Sequence, residues 1–422
     1  MISADDDLLT GLDEVDWAHL NHAYGTATDV PGQLRALCGD DDQARQQALS
    51  DLFNHLAHQG VRCQASPYAV PFLARIALTG PDPAREDALR LLTGLAVDRD
   101  EECEIIDGAD IAAWRAEAAE NSSEKLLPLY DAELAAEQDE QRHRDLRDTR
   151  DWLAAGNPVD PRDSSMRSYD AVRAELPSLC RLLDDENPRV RTRTAYLLAW
   201  FPELAGASLP LLLGLASRED DAVARATLLV AVGILGPKTL PDPLTAGLDA
   251  EDGLVRWAAA AALAQTARSA ALDGRLLDRA VAVLAAAATA PAPVPATDFG
   301  RGDFHGHTAD VLLALPPSPT ARAAVAACLP SVSATQRASM AKAVLPDLFP
   351  GPLAAPRPPY ARLPRPQQQL LYALGDLPEG WWNTEGDLGE SLAAHGLPAT
   401  QADLRTYIGL PAAGPGCQWR LL

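Results

Sequence analysis

Hydrophobic and polar positions from Leu176 to Phe201 follow a pattern that predicts two consecutive α-helices joined by a short turn. Leucines at helical spacing give the first helix an apolar stripe, and Pro177 suits its first turn, where the missing N–H would have no partner. The acidic residues Asp184 to Glu186 and the following Asn187 suit a turn and an N-cap, and Pro188 suits the first position of the second helix. The stretch therefore predicts a helical hairpin.

The second helix of this hairpin has two predicted faces. Val190 and Leu197 belong to an apolar stripe with a period of 3.6 residues, which predicts a buried face. The other face is predicted to point outward and carries four large side chains: Arg189, Arg193, Tyr196 and Trp200.

The same order of residues returns twice downstream, in Leu209 to Gly236 and in Leu240 to Ala267. In each copy an Asn or Asp stands four residues before an Arg, and these pairs are Asn187 and Arg191, Asp221 and Arg225, and Asp252 and Arg256. The pattern resembles the HEAT family of helical-hairpin repeats. That resemblance implies an all-α fold, an armadillo-like α-solenoid in which neighbouring hairpins bury one another's apolar stripes.

The chain is predicted to have six consecutive segments. In order, they are an N-terminal capping helix in 1–30, HEAT-like repeats in 31–97, an acidic helical insertion in 98–168, HEAT-like repeats in 169–350, a Pro-rich linker in 351–365 and a C-terminal helical module in 366–422. The capping helix is expected from Leu8 to Tyr24. The stretch Trp17 to Leu37, followed by His58-Gln59-Gly60, resembles the opening of bacterial HEAT-repeat proteins, which implies a fold and no activity.

The predicted insertion is strongly acidic. From Asp98 to Arg167 there are 20 acidic and 9 basic residues, and only a thin apolar stripe runs along the helices predicted there. One interpretation is a solvated helical segment with many salt bridges. The other is an arm that contacts a basic partner.

Charge and composition exclude several function classes. A net charge of −23 disfavours binding to nucleic-acid phosphates, and no apolar run is long enough to span a bilayer. The N-terminus is acidic where a signal peptide would be basic, and the six cysteines are scattered without close pairs. These features predict a cytoplasmic protein with reduced cysteines.

Two groups of residues suggest chemistry without establishing it. The segment Phe299 to Leu315 contains Asp303, His305, His307 and Asp310, which could ligate a metal, but no further spaced motif supports this and a solvated loop is the alternative. Asp51, His55 and His58 could form a proton relay, but an ordinary polar helix face explains them better. We therefore predict no metal and no cofactor.

Trp381 and Trp382 in the C-terminal module have two interpretations. An exposed pair would suit a partner-binding hot spot, whereas a buried Trp would fasten the module to the last repeat.

The sequence lacks the nucleotide-binding, nucleophile-elbow and zinc-protease motifs. It therefore predicts a non-enzymatic scaffold that binds a protein or peptide, with a basic one favoured by charge, on the concave face of the solenoid. The predicted partner-binding residues are Arg189, Arg193, Tyr196, Trp200, Asn54 and His58. The alternative is an enzyme on a HEAT scaffold, such as a HEAT-like DNA glycosylase, which the acidic charge disfavours.

Overall fold

The computed structural model describes residues 8–97, 108–155, 161–267, 272–378, 382 and 388–411, and the fold of these residues is all-α. The helices, in chain order, are α1 Val30–Leu37, α2 Asp42–Leu56, α3 Ser66–Thr79, α4 Asp82–Ala96, α5 Ile111–Glu120, α6 Ser123–Ala136, α7 Glu140–Ala154, α8 Pro161–Leu179, α9 Pro188–Leu198, α10 Ala205–Ala216, α11 Ala222–Leu235, α12 Asp242–Gly247, α13 Gly253–Thr266, α14 Gly274–Ala287, α15 Phe304–Ala314, α16 Pro319–Cys328, α17 Ala334–Leu348, α18 Arg365–Gly375, α19 Leu388–Ala394 and α20 Gln401–Ile408. Short 3-10 turns connect several of them.

The only strands in the described part of the chain form two minimal hairpins. β1 (Asn21–His22) pairs with β2 (Gly25–Thr26), and β3 (Ala57–His58) pairs with β4 (Val61–Arg62), both antiparallel. The sequence pattern predicted neither hairpin. With two residues per strand, they shape loops and contribute no sheet to the core.

The described residues cluster into two compact units, Met1–Ala224 and Arg225–Leu422, and the boundary falls inside α11. Val190 and Leu197 are fully buried in the first unit, and Leu228 is fully buried in the second. The apolar stripes predicted for the second helices of the hairpins are therefore confirmed as core.

The predicted N-caps are confirmed. Asn187 Oδ1 accepts a hydrogen bond from the Arg189 N–H at 3.0 Å, and Asp252 Oδ1 accepts from the Leu254 N–H at 2.8 Å. Asp221 and Asp41 cap α11 and α2 in the same way. Each cap satisfies backbone donors that the first helical turn leaves unpaired.

Two of the three pattern arginines hold the turn that precedes their own helix. Arg191 Nη1 donates to the carbonyl oxygens of Asp185 and Glu186 at 2.7 and 3.0 Å. Arg256 Nη1 donates to Ala250 and Glu251 at 2.6 Å each, at the same sequence offsets of six and five residues. The repeated Arg therefore has a structural role, because it satisfies carbonyls that the turn leaves without backbone partners.

The predicted capping helix is wrong. From Leu9 to Asp29 the chain forms two 3-10 turns, Leu12–Glu14 and Trp17–His19, followed by the β1–β2 hairpin. Gly11 has a φ of +83°, which ends any helix there, and the Trp17 indole N–H donates to the Leu12 carbonyl at 2.8 Å, closing a compact loop. The apolar anchors are nevertheless buried, because a loop can bury the same side chains as a helix.

The first helix of the Leu176–Phe201 hairpin is longer than predicted. It begins at Pro161, within the segment assigned to the acidic insertion, and Pro177 lies in its interior and not in its first turn as predicted. Tyr169, Val172, Leu176 and Leu179 are all buried at helical spacing. The apolar stripe therefore begins about two helical turns before Leu176.

The acidic insertion contains α5, α6 and α7. Leu153 is the only buried residue of α7, and no described residue of α6 is buried. Ion pairs such as Arg150 with Asp131, at 2.9 Å, connect α7 to α6. These helices match the predicted solvated segment with salt bridges.

Within the described residues, no single helix is both long enough and apolar enough to cross a membrane, although α9 with the bent continuation Pro202–Ala216 meets the length and composition limits as a pair.

Candidate functional site

The structure contradicts the prediction that Tyr196 and Trp200 face outward. Their exposed fractions are 5% and 1%, and their rings meet edge to face with centroids 5.8 Å apart. The physical reason is that α9 is buried on more than one side, so its second face is also core. A substitution at Trp200 would therefore test packing and not partner binding.

Arg189 and Arg193 lie on the same side of α9 and converge on one carboxylate of α4. Arg189 Nη1 is 3.8 Å from Glu86 Oε2, and Arg193 Nε is 3.6 Å from Glu86 Oε1. The Arg189 side chain is 78% exposed, whereas that of Arg193 is 22% exposed. Only Arg189 keeps most of its surface available to a partner.

Asn54 and His58 lie at the end of α2, but on different elements. Asn54 is exposed on the helix, whereas His58 belongs to β3, where the helix has already ended. Asp51 accepts a hydrogen bond from Gln47 at 2.8 Å. The proton relay considered for Asp51, His55 and His58 is therefore not formed along one helix face.

His55 and His58 instead belong to a polar cluster that joins the first α-helical hairpin to the two β-hairpins. We call it the histidine cluster, and its members are His22, Tyr24, Asp29, Gln33, His55 and His58. His22 and His55 stack with ring centroids 4.2 Å apart and planes 11° from parallel. Their side chains are 5% and 18% exposed, whereas that of Asp29 is 47% exposed. The cluster is therefore a half-buried site that opens to solvent on the Asp29 side.

Backbone hydrogen bonds fix the two β-hairpins around this cluster. The Ala23 N–H donates to the His55 carbonyl at 3.1 Å, and the Ala65 N–H donates to the Asn21 carbonyl at 3.0 Å. The Asn21 N–H donates to Gln64 Oε1 at 3.1 Å. These contacts hold side chains that are 33 residues apart in sequence, His22 and His55, at fixed positions.

Hydrogen bonds assign the protons of the cluster. The Tyr24 N–H donates to His22 Nδ1 at 3.0 Å, so neutral His22 carries its proton on Nε2, which lies 3.0 Å from Asp29 Oδ1. Gln33 Nε2 donates to Asp29 Oδ2 at 3.1 Å and lies 2.9 Å from His55 Nδ1. Burial lowers the pKa of His55. His55 is therefore a neutral imidazole at pH 7.

His22, Asp29 and Gln33 were not predicted as site residues from the sequence. His22 ends β1, Tyr24 lies in the β1–β2 turn and Asp29 precedes α1. Each residue alone is an ordinary loop or cap residue, so nothing local indicates that they converge.

The segment around His307 does not form the metal site considered from sequence. His305 Nε2 lies 3.0 Å from the Ala290 carbonyl, whereas the His307 ring packs against Trp257 with centroids 5.2 Å apart. Asp303 accepts hydrogen bonds from the N–H groups of Gly306 at 2.7 Å and Ser333 at 2.8 Å, as the N-cap of α15. The potential ligands therefore point to different partners.

The described cysteines Cys38, Cys63, Cys180 and Cys328 form no disulfide with one another, whereas Cys103 and Cys417 lie outside the described residues. Burial raises the pKa of Cys63 to about 11, so this thiol stays protonated at neutral pH.

In the C-terminal part, Trp382 is 8% exposed, as expected for a fastening residue, and Trp381 lies outside the described residues.

No protein-family model and no curated protein matches this chain. A solved structure of an engineered protein from the Northeast Structural Genomics Consortium aligns with 90% of this chain and 97% of its own, at 17% sequence identity and a TM-score of 0.27. At that TM-score the likeness carries no argument about fold or function.

Proposed function

We propose that the protein is a non-enzymatic scaffold that binds a protein or peptide, and that its helical hairpins stack in the manner of HEAT repeats. The matching contacts of Arg191 and Arg256 with their turns support the repeat, because two separate copies of the pattern use one structural device. A stack of hairpins exposes broad surfaces on which a partner can lie.

The observation that carries the binding proposal is an exposed aromatic ring held in a fixed position. Tyr24 is 64% exposed, yet its hydroxyl hydrogen-bonds to His58 Nδ1 at 3.2 Å. Its ring also meets His55 and His58 edge to face, at 5.7 and 5.1 Å between centroids. A ring already ordered in the free protein loses little entropy on binding, which is what a hot spot requires.

Val61 extends this surface. It is 37% exposed and pairs with His58 across β3 and β4, so the two side chains lie on the same face of the hairpin. We call Tyr24, His58 and Val61 the tyrosine patch. It replaces Tyr196 and Trp200 as the aromatic part of the proposed binding surface and keeps His58 from the sequence prediction.

Charge favours a basic partner. The half-exposed carboxylate of Asp29 contacts His22, whose ring meets that of Tyr24 edge to face, and the chain carries a net charge of −23. An Arg or Lys of the partner can stack on the face of Tyr24 and pair with Asp29, which combines cation–π and ionic attraction.

The test is affinity purification of partners from the native host, followed by titration of the purified partner against the full-length protein. Tyr24→Ala should weaken binding by about 30-fold, the effect of losing a hot-spot residue. Binding by the wild-type protein should also weaken as salt is raised, because the contact is partly ionic.

Tyr372→Ala is the matched control, since Tyr372 is an exposed tyrosine, 42% accessible, in the second unit. It should bind like the wild-type protein. If Tyr24→Ala recovers the same partners with the same affinity as Tyr372→Ala, the tyrosine patch is not the binding surface.

A further inference from the structure

We propose that His22, Asp29 and His55 bind a divalent transition-metal ion of the zinc type. One potential ligand atom from each residue lies within 4.8 Å of the other two. The three come from β1, from the residue before α1 and from α2, so the ion would join three separate elements of the first unit. This site shares Asp29 with the proposed partner contact, whereas its other two ligands, His22 and His55, are not members of the tyrosine patch.

The ligand chemistry suits zinc. Two imidazole nitrogens and a carboxylate oxygen form a common zinc ligand set, in which a fourth position stays open to water or another donor. His22 Nε2 lies 3.0 Å from Asp29 Oδ1, and His55 Nδ1 lies 3.3 Å from Asp29 Oδ2. Ligands at zinc bond lengths on a tetrahedron are about 3.3 Å apart, so these atoms are already at suitable separations. The two stacked rings, whose planes are 11° from parallel, would have to tilt so that both lone pairs point at one ion.

Gln33 supplies a second, independent observation. Its Oε1 is buried without a hydrogen-bond partner, while its Nε2 points toward Asp29 and His55. Rotating the amide by 180° exchanges the two atoms and turns the oxygen toward the ligand atoms of Asp29 and His55. Gln33 can therefore provide the fourth ligand, and the unpaired oxygen then gains a partner.

Metal binding requires the proton of the His22 ring to move from Nε2 to Nδ1. His22 Nε2 must lose its proton to bind the ion, and His22 must then carry its proton on Nδ1, which breaks the hydrogen bond from the Tyr24 N–H. That N–H belongs to an exposed turn, so water can replace the lost partner. Gln33 Nε2, which can only donate, lies 2.9 Å from His55 Nδ1, so the Nδ1 lone pair already points into the cluster.

The experiment is a zinc titration of the full-length protein after chelator treatment, at pH 7.5 with a reducing agent, in competition with a chromophoric chelator. The wild-type protein should bind one zinc ion per chain. His22→Ala and His55→Ala should each weaken that binding at least tenfold, since each removes a direct ligand. Lowering the pH to 5.5 should also weaken it, because protons compete for the imidazoles.

Two controls separate this site from other donors. His19→Ala removes an exposed histidine that pairs with Asp16 outside the cluster, and Cys63→Ser removes the thiol next to β4. Both should bind zinc like the wild-type protein. Asp29→Asn provides a variant at a half-exposed position that leaves the buried rings in place, and it should lose at least tenfold in affinity while keeping the wild-type circular dichroism spectrum.

The proposal is overturned if the wild-type protein binds no zinc under these conditions. It is equally overturned if the three ligand variants bind zinc as tightly as His19→Ala, because the ion would then lie elsewhere. Neither result bears on the tyrosine patch, whose test uses no metal.

Discussion

Two ionisable side chains three residues apart on α15 respond to burial in opposite directions. His307 is 2% exposed, and burial lowers its pKa to about 4. Burial also raises the pKa of Asp310 to about 7, and the nearby Asp303 carboxylate adds to that rise. A lowered histidine pKa makes the fold more stable as pH rises from about 4 to 6.5, whereas a raised aspartate pKa makes it less stable between about 3.8 and 7. The two pH dependences therefore largely cancel in the wild-type protein.

Replacing Asp310 by Asn should remove one of the two opposing pH dependences of stability. The Asp310→Asn variant should be more stable than the wild-type protein by roughly 2 to 4 kcal/mol at pH 8, where the buried carboxylate is charged, and by about half of that or less at pH 5. Urea denaturation at the two pH values measures the difference. Asp278→Asn, at an exposed position of α14, is the control and should change stability by no more than about 0.5 kcal/mol at either pH. An equal gain for Asp310→Asn at both pH values would contradict the proposed ionisation.

At the scale of the element, the turns before α9 and α13 are each held by an Arg, but these two copies differ in a second partner. Arg191 makes two further hydrogen bonds to Glu219, both at 2.7 Å, and the Glu219 side chain is 2% exposed. Burial raises the pKa of Glu219, but the Arg191 hydrogen bonds and backbone N–H groups outweigh it and hold the pKa below its usual value. Glu219 is therefore a buried charge that depends on Arg191.

The two arginines should consequently differ when removed. Arg256→Ala should lower the free energy of unfolding by about 1 to 3 kcal/mol, because it leaves two turn carbonyls without a donor. Arg191→Ala should lower the free energy of unfolding by about 3 to 5 kcal/mol, because it also leaves the buried Glu219 charge unpaired. Urea denaturation of both variants tests this.

Adding Glu219→Gln to Arg191→Ala should recover most of the extra free energy of unfolding that Arg191→Ala loses relative to Arg256→Ala. The reason is that Gln removes the unpaired charge. Arg189→Ala is the control, at an Arg with a 78% exposed side chain, and it should change stability by about 0.5 kcal/mol or less. Equal losses for Arg191→Ala and Arg256→Ala would show that Glu219 does not depend on Arg191.

At the scale of the element, some features of the helices could be predicted from the sequence pattern and others could not. The N-caps at Asn187 and Asp252 and the buried stripe with Val190 and Leu197 follow from local spacing, and the structure confirms them. The start of α8 was not predicted from the sequence, because its first turns are mostly polar. Its apolar stripe is recognised only once Tyr169 is known to be buried. The end of a helix can therefore be predicted from the sequence where capping residues mark it.

At the scale of the whole molecule, charge is the property most relevant to partner choice. The chain has 59 acidic and 36 basic residues, and many arginines already pair with carboxylates inside the protein, as Arg115 does with Asp170 at 2.7 Å. A surface with this balance attracts basic partners over a Debye length of about 10 Å at 0.1 M salt and repels phosphate backbones.

Duplex DNA should therefore not bind. A fluorescence-anisotropy titration of a labelled duplex at 50 mM salt should show no binding up to a protein concentration of about 100 µM, where most non-specific DNA-binding proteins bind measurably. A basic DNA-binding protein in the same assay serves as the positive control. A salt-dependent rise in anisotropy would indicate a local basic surface and would favour the DNA-glycosylase alternative over the scaffold.

The sequence by itself determined the helical class, the caps and the core stripes, because each depends on residues within a few positions of one another. Only the tertiary structure decided that Tyr196 and Trp200 are buried, because exposure depends on how many neighbours cover a helix and not on the helix itself. It alone brought His22, Asp29 and His55 together, since their convergence depends on the packing of a loop against a helix 33 residues away. A periodic pattern carries no information about such contacts.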